Sequence, residues 1–176
     1  TLSSSSAASD VYKRQELLGK PLSKKDLLPY CMEGERLACG AAHADNVAPS
    51  LFGGITLIPS YEPILVRSLP VPENLYVTLI YSKVEVPTKD ARKLIKDKVQ
   101  LSKAIKQWGN IASLVAALYE NDYEEIGRSM QDDIIEPNRS LLIPYFNEMK
   151  SISLENNALT FGISGSGPTV MALSLI

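Results

Sequence analysis

Histidine occurs once and cysteine twice in this 176-residue chain. His43, Cys31 and Cys39 match none of the spacings by which such residues hold zinc, so a structural metal finger is excluded. On one helix the two cysteines would lie about 12 Å apart, at roughly 1.5 Å per residue. A disulfide needs Cα atoms within about 7 Å, so none is expected, and free thiols fit a reducing cytoplasm. Positive charge is not in excess: 18 Lys and Arg against 20 Asp and Glu give a net charge of −2. That argues against nucleic acid or an acidic membrane surface as a partner. No apolar run approaches the roughly 18–20 residues needed to cross a bilayer. An initiator Met is lacking as well. The low-complexity stretch Thr1–Ser9, the following Asp10–Gln15 and the terminal Ser174-Leu175-Ile176 read as foreign ends. Residues 1–15 and 174–176 are therefore set aside, and the chain is read as an internal piece.

What remains is ordinary for a globular protein, 45% hydrophobic and 22% charged. The length allows one sizeable core or two small domains. Ser23-Lys24-Lys25-Asp26 is a capping-box-like helix start, and Pro29 predicts a kink or break before a second helical stretch ending at Cys39-Gly40. Asp45 or Asn46 is expected to cap a short turn. Ile55–Ile58 reads as a strand stopped by Pro59, and Ile64–Leu69 as another. Pro70 and Pro72 mark a domain boundary. Leu75–Val84 alternates as a strand, with Leu75, Val77, Leu79 and Tyr81 on one face. Pro87-Thr88 opens a helix. Leu101, Ile105, Trp108, Ala112 and Val115 fall at helical spacing and read as core, with Gly109-Asn110 as a division between two helices. Tyr123–Gln131 and Leu141–Met149 are further helices, before a strand, a loop and a last strand. The pattern is α+β.

Two stretches stand out. Residues 161–169 read Phe-Gly-Ile-Ser-Gly-Ser-Gly-Pro-Thr, a glycine-rich loop between apolar segments. Such a loop lets the backbone approach a ligand and aim N–H groups at an anion; it also suits a tightly packed turn. The second stretch is His43-Ala44-Asp45-Asn46-Val47-Ala48-Pro49, followed by Leu51-Phe52-Gly53-Gly54. Together they resemble the GHMP kinase superfamily, and within it the homoserine kinase family. The resemblance runs from about residue 16 to about residue 172. It implies a two-domain α/β sandwich of the GHMP kinase kind. Residues 1–70 would be the remnant of a truncated, ribosomal-S5-like, ATP-binding domain, and residues 71–176 a ferredoxin-like C-terminal domain. It also implies phosphorylation of L-homoserine by ATP with Mg²⁺, in threonine biosynthesis, in the cytoplasm and as a homodimer. The family's enzyme extends before Thr1, so the chain alone is expected to be inactive.

The resemblance assigns residues to roles. The superfamily's phosphate loop, GLGSSSA, corresponds to Leu2–Ala7 without its glycines. Ser4, Ser5 and Ser6 are either its ATP-binding remnant or a serine-rich tail. Glu35, eleven residues before Asn46, matches the magnesium carboxylate; without the resemblance it reads as a surface charge. Asn46 stands where several relatives carry an Asp as base. An amide takes no proton, which implies catalysis by positioning and charge stabilisation. Thr88, Arg92 and Arg139 match positions that hold the amino-acid substrate, the arginines through bidentate bonds to a carboxylate. Ser164, Gly165, Ser166 and Gly167 complete that site. His43 reads as a packed, hydrogen-bonded structural residue. Two rival readings remain: a GHMP kinase for another small alcohol, and a non-catalytic ligand-binding module that keeps the fold.

Overall fold

The computed structural model describes residues 16–40, 42–83 and 98–175. Their contacts divide them into two units, one up to Val71 and one from Pro72 on.

The first unit opens with helix α1 (Lys24–Cys39). The Ser23 hydroxyl accepts the Asp26 N–H at 3.3 Å, and the Asp26 carboxylate accepts the Ser23 N–H at 3.2 Å. The Ser23 hydroxyl also donates to the Asp26 carboxylate at 2.6 Å, and this bond, with that from the Ser23 N–H, holds the Asp26 carboxyl below its ordinary range. Gly40, at φ +79°, ends the helix in the left-handed region. Pro29 does not break it. The bond that Pro29 cannot donate belongs to the carbonyl of Lys25, an exposed residue whose carbonyl water can reach. Leu27, Leu28, Cys31 and Glu35 form one buried stripe. Burial pushes the Cys31 thiol up.

The expected short turn is a nine-residue helix, α2 (Ala44–Phe52), with His43 at its N-cap and Asp45 in its first turn. Its apolar face, Val47 and Leu51, packs on Leu27, Leu28 and Cys31. Strands β1 (Ile55–Tyr61) and β2 (Ile64–Leu69) form an antiparallel hairpin. Pro59 does not stop β1: the register shifts between Leu57 and Ser60, and such irregularities are where a strand tolerates proline.

The second unit holds a three-stranded antiparallel sheet, ordered β3-β5-β4. Its strands are β3 (Leu75–Ile80), β4 (Thr160–Ile163) and β5 (Val170–Leu175). β3 and β4 share the sheet with β5 between them. Ser174 and Leu175, set aside as a foreign end, pair in register with Tyr76 and Leu75.

Helix α3 (Leu101–Glu120) is continuous through Gly109-Asn110. One helical glycine costs only about 1 kcal/mol, and Asn110 is buried with its amide bonded, so the expected division is absent. The buried positions of α3 are Asn110, Ala117 and Leu118. The face bearing Leu101, Ile105 and Trp108 is exposed, Trp108 by 61%, which corrects its reading as core. Spacing identifies an apolar face but not which of two faces packs.

Helix α4 (Tyr123–Ser129) packs against α3. The short helix α5 (Glu136–Arg139) runs into a 3₁₀ turn over Ser140–Leu142. Helix α6 (Phe146–Glu155) follows Pro144. The single helix expected over Leu141–Met149 is interrupted because Ile143, before Pro144, is extended at φ −109°, ψ 110°. The core joins Ile143, Phe146, Phe161, Val170 and Ala172, with Phe146 and Phe161 edge to face at 5.4 Å.

Candidate active site

The glycine-serine loop joins two hydrogen-bonded strands, β4 and β5. The Ser164 N–H donates to the Thr169 carbonyl at 2.9 Å, and the Gly167 N–H to the Ser164 carbonyl at 3.1 Å, so residues 164–169 close tightly. Gly165 and Gly167 lie at φ +60° and +76°, which side chains disfavour. The space under Gly167 is tight as well: a Cβ there would sit 3.3 Å from side-chain carbons of Ile143 and Ile163, which would have to give way. The loop's base is thus apolar, and Gly165 and Ser166 are exposed at its tip.

A polar scaffold brings Arg139 to this loop. Asn110 of α3 donates its amide to the Gln131 carbonyl at 3.1 Å. The Gln107 side chain accepts the Asp133 N–H at 3.0 Å, and Lys106 pairs with Asp133 at 2.9 Å. The Asp132 carboxylate then accepts the N–H groups of Ile134, Ile135 and Glu136, at 2.8, 2.8 and 3.2 Å. Glu136 is the first residue of α5 and the other two lead into it, so Asp132 fixes the entry to that helix. Arg139, at its end, donates from Nη1 to the Gly165 carbonyl at 3.3 Å. Its Nε is buried with no partner. A cavity of about 80 Å³ opens here, lined among others by Asp132, Glu136, Arg139, Gly162, Gly165 and Met171.

The first unit carries the other two described candidates. Glu35 is 1% exposed, on the buried stripe of α1, and its Oε2 has no hydrogen-bond partner. A buried carboxylate oxygen without a donor is the kind of ligand a hard cation takes, so this residue fits a magnesium ion. It is not the surface charge that its neighbourhood in sequence suggests. Among the described residues no group of three or more His, Cys, Asp and Glu could hold a metal. Magnesium does not require one, since it takes one or two carboxylates and completes its shell with phosphate and water. Asn46 is exposed in the first turn of α2, and its backbone carbonyl accepts the Ser50 hydroxyl at 2.9 Å. The carbonyl of His43, half-buried, accepts the N–H groups of Asn46 and Val47. Ser4, Ser5, Ser6, Thr88 and Arg92, and the helix expected from Pro87, lie outside the described residues.

Residues 2–54 match the GHMP kinases N terminal domain, and residues 114–174 match GHMP kinases C terminal. With the α+β units described above, the chain belongs to the GHMP kinases. It is 45% identical over 172 residues to the homoserine kinase of Chloroherpeton thalassium, covering 98% of this chain and 54% of that protein. The crystal structure of homoserine kinase from Cytophaga hutchinsonii superposes with a TM-score of 0.94 at 55% identity, over 98% of this chain and 55% of that one. Leishmania major mevalonate kinase, 17% identical, shares the fold at a TM-score of 0.74, over 97% of this chain and 56% of its own. The chain spans about half the length of the curated relatives it matches.

Sequence reasoning missed Asp132, Asn110 and Lys150, the last of which donates to the Glu136 carboxylate at 2.6 Å. An Asp shortly before Glu136-Pro137 is a helix-start signal and was legible. Asn110 and Lys150 act across 21 and 14 residues, where no local pattern reaches.

Proposed function

We propose that this chain forms part of an ATP-dependent kinase that phosphorylates L-homoserine to O-phospho-L-homoserine, in threonine biosynthesis. The observation that carries the reading is Arg139, held by a dedicated scaffold beside the glycine-serine loop with donors to spare. A planar guanidinium there suits the carboxylate of an amino-acid acceptor. The similarity to homoserine kinases over nearly the whole chain supports the same acceptor. Residues 1–70 would belong to the ATP-binding domain and 71–176 to the C-terminal domain. Thr88 and Arg92 would join Arg139 on the substrate, with Ser164, Gly165, Ser166 and Gly167 closing over it, and Ser4, Ser5 and Ser6 would meet ATP. A homodimer and a cytoplasmic setting belong to the same proposal; no described helix is long and apolar enough to cross a membrane.

In the reaction the acceptor hydroxyl oxygen bonds to the γ-phosphorus, the bond from that phosphorus to the β,γ-bridging oxygen breaks, and the hydroxyl proton is released. Glu35 would hold Mg²⁺, which supplies charge neutralisation to the phosphates when bound. Asn46 would orient the acceptor by hydrogen bonds, since its amide cannot act as a base. Arg139 would hold the carboxylate of the acceptor through its planar guanidinium.

The test is a graft in which this chain replaces the matching segment of the Chloroherpeton thalassium relative. ATP consumption is measured with L-homoserine, with R-mevalonate and with 3-amino-1-propanol, which is homoserine without its carboxylate. Strong preference for L-homoserine is expected. Equal turnover of mevalonate would favour another GHMP kinase. A folded graft that binds but never phosphorylates would favour the non-catalytic module.

A further inference from the structure

The chain contains the spacing Glu-x-x-Arg three times: Glu33–Arg36, Glu125–Arg128 and Glu136–Arg139. Each lies on a helix, where residues three apart are neighbours. In the first two the pair closes. Arg36 Nε donates to Glu33 at 2.7 Å and Arg128 Nε to Glu125 at 2.6 Å, each with a second bond from Nη2. In the third the side chains part: Arg139 Nε has no partner, and Nη1 turns to the Gly165 carbonyl. Glu136 is held elsewhere. Lys150 of α6 donates to its Oε1 at 2.6 Å. Its Oε2 packs on Gly162, where a Cβ would come within 3.0 Å of it. Lys150 is itself fixed, its Nζ lying 5.8 Å from the centre of the Phe146 ring in the core.

We infer that Lys150 is a positioning residue, which draws Glu136 away from Arg139 and so leaves that guanidinium open to an anionic ligand. Both Glu136 and Arg139 line the same cavity. Without Lys150, Glu136 is a competing carboxylate three residues from the arginine, already inside the site. The other two Glu-x-x-Arg pairs show what this spacing does when nothing intervenes. The inference rests on the reading of Arg139 as the ligand of the acceptor carboxylate.

The experiment uses Lys150→Met in the graft; methionine keeps the apolar stem on Phe146 and removes the charge. The KM for L-homoserine should rise about fivefold, the upper scale of a single partly exposed ion pair, and the KM for ATP should not move. Adding Glu136→Gln should restore the homoserine KM, because a neutral amide competes weakly for Arg139. Lys150→Arg alone should retain it. An unchanged KM in Lys150→Met, or one that Glu136→Gln fails to restore, overturns the inference. Arg139→Ala separates the two levels: if it leaves the homoserine KM unaltered, the reading of Arg139 fails instead. A readout free of activity is the Nε–H resonance of Arg139 in the 176-residue chain. Lys150→Met should shift it and slow its exchange with water; no change there also overturns the inference.

Discussion

The Arg139 guanidinium meets the Gly165 carbonyl at 3.3 Å, across 26 residues of sequence. One end of this contact stands on a four-residue helix whose entry is tied down by Asp132, the other on a loop whose backbone angles only glycine adopts easily. A cation with an unpaired donor is thereby presented beside exposed backbone, which is what recognition of a small carboxylate requires.

The core of the second unit rests on Phe146 against Phe161 and not on the lone tryptophan. Phe146→Ala should destabilise the chain by about 3–5 kcal/mol. Trp108→Ala should stay within about 0.5 kcal/mol, as for an exposed site. Urea unfolding of the two variants checks this, and a large loss from Trp108→Ala would mean that its face is covered.

Capping of α1 should depend on pH. The Asp26 carboxyl is held below its ordinary range by Ser23, so its contribution is complete above the unfolded carboxylate pKa and is lost as pH falls through the folded one. Ser23→Ala should therefore lower the melting temperature at neutral pH, and the deficit should shrink near pH 2, below roughly the carboxylate range. A deficit that grows on acidification would contradict the assignment.

Glu35 should separate stability from activity. In the chain without magnesium, Glu35→Gln replaces a buried carboxylate whose Oε2 has no donor, so the melting temperature should rise. In the graft the same change should cut kcat by at least about a hundredfold, the scale of losing one preorganised charge contact at the phosphates. Asn46→Asp should also slow turnover, since a second negative charge would face the phosphates in a partly desolvated site. A near-unchanged Glu35→Gln enzyme, or a faster Asn46→Asp one, would show that these roles are wrong.

Much of this architecture was legible locally. Ser23 and Asp26 cap α1 and Gly40 ends it as their chemistry dictates. The glycine-serine stretch sits between two strands. Prolines misled where surroundings absorb their cost: Pro29 leaves an exposed carbonyl, and Pro59 coincides with a register shift. Trp108 misled because periodicity marks a face without saying what covers it. Glu35 looked exposed among Glu33, Gly34 and Arg36, yet it falls on the buried stripe set by Leu28 and Cys31. Lys150 had no local signal at all, since its partner lies on another helix. Pairing across elements is decided by packing, and packing is not periodic.

The most direct test of the account is the paired response of Arg139→Ala to two acceptors in the graft. With L-homoserine the KM should rise by roughly 10–100-fold, the scale of a lost charge-assisted hydrogen bond, with the ATP KM unchanged. With 3-amino-1-propanol, which has no carboxylate to lose, the substitution should change little. An equal loss with both acceptors, or a matching loss for ATP, would contradict the placement of the acceptor carboxylate on Arg139.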